Sequence, residues 1–275
     1  MSENAYSILT DTTRCIGCEK CVEGCKKAND LGDDVAWRWK AKIDDLSSTR
    51  FTKIIQQPGK RFIRQHCHHC QQSACVSACI VGALKKQEEG AVTYDETKCM
   101  GCRYCMMACP FGIPRYDWEA KVPYVRKCIL CYDKLTAGEL EAPGCVSACP
   151  EKATIFGTRD EMLDEARRRI DHNPEKYIDH IYGEKEVGGA SVLYLSDIDL
   201  GFLGWQNELG DKTLPERTWK ALSKVPYMAV GMGAGMFGIW WMIGRRMELQ
   251  VRTKAALEAR VDKDAAAAKE EEKND

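Results

Sequence analysis

Sixteen cysteines fall in four groups of four: Cys15, Cys18, Cys21 and Cys25; Cys67, Cys70, Cys75 and Cys79; Cys99, Cys102, Cys105 and Cys109; Cys128, Cys131, Cys145 and Cys149. None is left over and none follows Cys149. Two groups read C-x2-C-x2-C-x3-C, one C-x2-C-x4-C-x3-C and one C-x2-C-x13-C-x3-C. Thiolates spaced in this way are iron ligands. A [4Fe–4S] cube takes one thiolate per iron, so the count closes on four clusters. The chemistry implied is transfer of single electrons, with the sixteen cysteines as iron ligands and no catalytic residue of the chain's own. No general base, nucleophile or phosphate loop stands out, and Gly231, Gly233 and Gly235 lie in an apolar run rather than in a nucleotide fingerprint.

Two other uses of cysteine were weighed. Paired C-x2-C units also build tetrahedral zinc sites, but zinc does not require the x3 spacing that ends every group. Disulfide scaffolds are usually shorter secreted chains. In two-cluster ferredoxins the last Cys of a C-x2-C-x2-C-x3-C-P run ligates the other cluster; Pro110 and Pro150 follow Cys109 and Cys149, whereas Lys26 and Ile80 follow Cys25 and Cys79. His66, His68 and His69 flank Cys67 and Cys70. The cysteine count closes without them, so they are expected as hydrogen-bonding neighbours or surface groups, not ligands. Arg14, Arg64, Arg103 and Lys127 lie near ligands in sequence and could raise a potential, but each taken singly is expected to be a solvated charge.

The elements that must position these ligands are short. Runs on either side of Gly90 predict a hairpin leading into the third group, and residues 153–157 and 191–195 predict strands. Residues 26–66 form an insertion with Trp37, Trp39 and a β-prone run at 51–55, expected to pack over the clusters. Thr158 with Glu161 makes a capping box, opening a helix to about Ile170, before Asn173-Pro174. The fold class expected is α+β: two bacterial-ferredoxin-like dicluster units with short hairpins and helices, plus one C-terminal transmembrane helix. The divisions are 1–157 (cluster domain), 158–224 (helix and partner- or membrane-contact segment), 225–244 (transmembrane helix) and 245–275 (charged tail). With 44% hydrophobic residues and a net charge of −1, neither disorder nor nucleic-acid binding is signalled.

Residues 225–244 carry no charge. As a helix they span about 30 Å, the thickness of the hydrocarbon core of a bilayer. Trp219 and Tyr227 mark one end, Trp240 and Trp241 the other, and Gly231, Gly235 and Gly238 would admit a second helix closely. The start of the chain has no apolar signal-peptide core and no twin arginine. Lys212, Arg217, Lys220 and Lys224 precede the apolar run, while Arg245, Arg246, Arg252, Lys254, Arg260 and Lys263 follow it. That bias puts the C-terminus in the cytoplasm. Residues 265–275 are expected to be a frayed helix or a disordered tail.

The chain resembles the four-cluster iron–sulfur subunits of membrane-bound respiratory oxidoreductases. It is similar to the β subunit of respiratory formate dehydrogenase and to the membrane-anchored iron–sulfur subunit of quinone-linked uptake hydrogenases. The residues that carry the resemblance are CIGCEKC at 15–21, CMGCRYCMMACP at 99–110, FGTRDEM at 156–162 and IYGEKEVGG at 181–189. Dimethyl sulfoxide and polysulfide reductases have related subunits. The resemblance implies four crossed ligand sets: Cys15, Cys18, Cys21 with Cys149; Cys128, Cys131, Cys145 with Cys25; Cys67, Cys70, Cys75 with Cys109; and Cys99, Cys102, Cys105 with Cys79. It implies a large catalytic partner of molybdopterin, tungstopterin or nickel–iron type and an integral membrane quinone- or cytochrome-type subunit. It also implies a single-pass protein in the cell membrane with its cluster domain in the periplasm, exported with a signal-bearing partner. The apolar run has no His, so it supplies no haem ligand.

Overall fold

The computed structural model describes residues 5–33, 45–118, 120–121, 124–203 and 210–271. Trp37 and Trp39 lie outside the described residues. Two compact units are formed, Met1–Arg217 and Thr218–Asp275.

In chain order the first unit contains β1 (Tyr6–Asp11), α1 (Lys20–Ala28), β2 (Lys53–Gln57), β3 (Arg61–Gln65), α2 (Ala74–Ser77), β4 (Leu84–Lys86), β5 (Val92–Tyr94), α3 (Tyr104–Ala108), β6 (Arg115–Tyr116), β7 (Val125–Arg126), α4 (Tyr132–Thr136), α5 (Gly144–Ser147), β8 (Thr154–Thr158), α6 (Arg159–His172) and β9 (Val192–Leu195). The pairs β2–β3, β4–β5 and β6–β7 are antiparallel hairpins, and β8–β1–β9 is a three-stranded sheet. In it β1 runs antiparallel to β8 and parallel to β9.

The sheet divides two cores by its two-residue alternation. Ile8, Val192 and Tyr194 face the cysteine-rich core with Ile63, Phe111 and Leu130. Leu9, Leu193 and Leu195 face the opposite way, onto Met162, Leu163, Ala166 and Ile170 of α6. Those four residues form one helical stripe. The helix starts where the capping box places it: the Thr158 N–H donates to Glu161 Oε2 at 2.9 Å, and the Glu161 N–H to Thr158 Oγ1 at 3.4 Å. It ends at His172, two residues later than the sequence suggested.

Buried Asp11 ties this layer to the first cysteine loop. It accepts from Arg169 Nη1 at 3.0 Å, Tyr177 Oη at 2.8 Å and Thr13 Oγ1 at 2.6 Å. Strand β1 has no clear polar–apolar alternation, because both its faces are buried. Helix α6 and strand β9, set apart in the sequence reading, belong to the same compact unit as the cysteine groups.

The second unit is dominated by α8 (Val225–Glu271), which follows α7 (Leu214–Leu222). Its early part is long and apolar enough to cross a membrane, and none of that window is buried. The helix continues without a break to Glu271, so residues 265–271 take the helical of the two forms expected; Ala, Lys and Glu are strong helix formers.

Candidate metal centre

Each ligand loop is shaped by backbone that few residues tolerate. Gly17 (φ 75°) and Gly101 (φ 74°) lie between the first two cysteines of their groups, and Glu19 (φ 56°) and Arg103 (φ 64°) follow the second. These left-handed turns curl the loop so that successive thiols point inward, then start the helix that carries the third Cys. A Cβ on Gly17 would also meet the Phe62 ring at 2.5 Å. Before the first and third groups an Asp-x-Thr-x-Cys run makes a one-turn cap. Asp11 Oδ1 accepts from the Thr13 N–H at 3.1 Å, and Asp95 Oδ1 from the Thr97 N–H at 3.0 Å. This repeat is legible in the sequence beside the Gly-Cys pairs.

The groups do not close on themselves. Helix α1 packs on α5, and α2 on α3. One cavity is lined by Cys15, Cys18, Cys21 and Cys149 with Arg64. Another is lined by Cys67, Cys70, Cys75 and Cys109 with Phe111 and Lys127. Burial pushes the Cys25 thiol well up, and the neighbouring Cys128, Cys145 and Cys131 add to it. Burial likewise pushes Cys105 up to about 11, with Cys79, Cys102 and Cys99 adding their charges. Between these four neighbourhoods the thiols interact in sequence: Cys21 with Cys145, Cys128 with Cys67, and Cys75 with Cys105.

All sixteen thiols are free of disulfides. Burial raises Cys21 to about 11 and Cys75 to about 12. So many buried thiols cannot ionise unaided; a polynuclear cation that takes them as thiolates removes the penalty. Among the described residues no three of His, Cys, Asp or Glu converge on a point fit for a single metal ion. Four thiols spread around a cavity suit a cuboidal cluster, one ligand per iron. The donor set therefore fits the group.

Two of the four cations depart from expectation, and burial decides between the two places expected for the three histidines. His66, His68 and His69 are buried, not on the surface. His69 Nδ1 accepts the Val92 N–H at 2.9 Å, so in the neutral ring Nε2 carries the proton, and it faces Cys128 Sγ at 3.4 Å. Burial and nearby Lys127 and Lys86 hold its pKa well below the ordinary value, which keeps the ring neutral. Asn29 Nδ2 stands 3.5 Å from Cys131 Sγ, and the Ala83 N–H 3.2 Å from Cys79 Sγ. Arg64 and Lys127 are buried rather than solvated. Lys127 Nζ donates to the carbonyls of Val92 and Cys128 at 2.5 and 2.8 Å. Arg14 pairs with Asp11 at 3.5 Å, and Arg103 stacks 5.2 Å from the ring centres of Tyr116 and Trp118. Sequence neighbours do not predict burial, because Arg64 and Lys127 reach the core from strand and loop positions that read as polar.

The segment 181–189 has a structural task. The Gln71 N–H donates to the Gly189 carbonyl at 2.9 Å, and Ser191 N–H to that of His68 at 3.1 Å, so the segment clasps the second cysteine loop. Arg159 holds it from behind through the carbonyls of Ala190 (3.1 Å) and Glu184 (2.9 Å).

Comparison with known proteins gives the arrangement its family. Residues 60–159 match the 4Fe-4S dicluster domain. A protein of Nitratidesulfovibrio vulgaris (strain Hildenborough) is 40% identical, covering 99% of this chain and 75% of its own length. Hydrogenase-2 operon protein HybA of Escherichia coli O157:H7 is 36% identical over 70% of each chain. The iron-sulfur subunit of nitrate-inducible formate dehydrogenase of Escherichia coli K12 is 36% identical, covering 68% of this chain and 66% of its own. With its cysteine-lined cavities and these relatives, the chain belongs to the family of ferredoxin-type 4Fe-4S electron-transfer subunits of oxidoreductases.

Proposed function

We propose that this chain is the non-catalytic wire of a membrane-bound complex, carrying electrons through four [4Fe–4S] clusters between a catalytic subunit of formate dehydrogenase or hydrogenase type and a membrane subunit that handles quinone. When bound, each cluster accepts and gives up one electron, which splits two-electron chemistry into single steps. The ligand sets are Cys15, Cys18, Cys21 and Cys149; Cys25, Cys128, Cys131 and Cys145; Cys67, Cys70, Cys75 and Cys109; and Cys79, Cys99, Cys102 and Cys105.

The observation that carries this reading is the pair of four-thiol cavities, each drawing its fourth thiol from a different group. The run of thiol interactions from Cys21 to Cys145, Cys128 to Cys67 and Cys75 to Cys105 supports an order in line. The chain's own residues hold the thiolates, exclude water with Leu130 and Phe111, and donate hydrogen bonds to sulfur from His69, Asn29 and backbone N–H groups. Such donors raise potentials.

Helix α8 fits a membrane anchor. In this reading its C-terminus is cytoplasmic, by the Lys and Arg bias, and the cluster unit lies on the periplasmic side. Space is open beside Gly231, Gly235 and Gly238, room for a helix of the membrane subunit. The test is analysis of iron and acid-labile sulfide in anaerobically purified protein. Four irons and four sulfides per cluster are expected for each of four sets; stoichiometric zinc without sulfide rejects the proposal.

A further inference from the structure

Arg64 lies on β3 with only 2% of its surface exposed. Its Nη2 lies 2.8 Å from His66 Nε2, and its Nε and Nη1 have no hydrogen-bond partner among the described residues. Burial and the Arg64 charge together keep His66 neutral, so it accepts from Arg64 and brings no negative charge. None of the groups that act most on its charge is a carboxylate. A buried cation without an anion is costly. The groups that act most on its charge include thiols of two different neighbourhoods. It lines the cavity of Cys15, Cys18, Cys21 and Cys149. Its side chain hydrogen-bonds to the Cys145 thiol of the neighbouring set, and Cys21 is the other thiol that acts most on its charge. Its charge also reaches Cys15 and Cys25.

From this placement we infer that Arg64 is a shared positioning charge between the first two clusters of the line, raising the reduction potential of both. The inference rests on the ligand sets proposed above. An electron passing between these clusters oxidises one by one unit and reduces the other by one. The reduced cluster carries one more negative charge, which the fixed guanidinium stabilises. Arginine stays protonated in proteins, so no proton need accompany the electron.

The test is an EPR-monitored redox titration of the full chain with its clusters, in wild type, Arg64→Gln and Arg64→Lys, alongside iron and sulfide analysis. In Arg64→Gln, two of four titrating signals are expected to become at least about ten-fold harder to reduce, roughly 59 mV for one electron. The other two stay in place, and Arg64→Lys moves none by more than a few-fold. Loss of iron in Arg64→Gln but not in Arg64→Lys also supports a role for the charge. Full iron with four unmoved potentials overturns the inference. So does an equal shift or equal iron loss in both variants, or a shift spread over all four signals. Failure of the wire reading looks different: wild type itself would lack sulfide. An unmoved Arg64→Gln beside an intact wild type leaves that reading standing.

Discussion

Gly24 and Gly144 meet backbone to backbone where α1 crosses α5. A Cβ on Gly24 would stand 2.4 Å from the Gly144 carbonyl oxygen, and one on Gly144 would stand 2.5 Å from the Gly24 carbonyl oxygen. Cys21 and Cys25 ride on α1, and Cys145 on α5, with Cys149 just beyond. The contact therefore sets how closely the first cysteine group approaches the fourth.

Gly24→Ala should cost about half of the bound iron. Alanine favours a free helix by about 1 kcal/mol over glycine, so any loss reports the crossing and not helix propensity. Gly32→Ala, with open space around it, should leave the iron content unchanged. Iron analysis and the visible absorption of the purified variants check this.

Cys149→Ser tests the crossed ligand sets. The EPR signal of the cluster held by Cys15, Cys18 and Cys21 should be lost or converted, while that of Cys128, Cys131 and Cys145 persists. Damage confined to the fourth group would reject the assignment.

Replacing His69 removes the hydrogen bond from Nε2 to Cys128 Sγ, 3.4 Å away. His69→Leu should make one cluster harder to reduce by about ten-fold, roughly 59 mV in a one-electron titration. A potential unchanged in protein of full iron content would exclude that hydrogen bond as a tuning device.

Acid sensitivity should include Glu165. Burial raises its pKa, but hydrogen bonds from Arg168 and Arg169 outweigh this and hold the carboxyl below its ordinary value. A depressed folded pKa contributes stability above the ordinary value of about 4.3, lost as the pH falls through the folded value. The melting temperature of Glu165→Gln should therefore lie below that of wild type at neutral pH and converge with it below about pH 4. Circular-dichroism melts at a series of pH values give the comparison.

Removing residues 225–275 should release the protein from membranes and leave its iron intact, because every cysteine belongs to the first compact unit. Fractionation with iron analysis decides it. Iron lost together with the anchor would mean that α8 helps to hold the cluster unit.

The sequence alone determined the donor set. Cysteine spacing is local, so the iron–sulfur chemistry, the capping box at Thr158 and the apolar run at 225–244 could all be read from the chain itself. The hairpin around Gly90 was legible for the same reason, being a matter of turn chemistry. Tertiary structure decided what depends on distant residues. It brought Cys149 to the cavity of Cys15, Cys18 and Cys21, because the Gly24–Gly144 crossing joins helices that lie far apart in the chain. It made β1 a central strand, which its composition hides because both faces are buried. It buried Arg64 and Lys127, expected as solvated charges, and His66, His68 and His69, expected as hydrogen-bonding neighbours or surface groups. Burial is a property of what packs around a residue, and for these five the packing comes from segments far away in sequence, most of all β9 and the loop that precedes it.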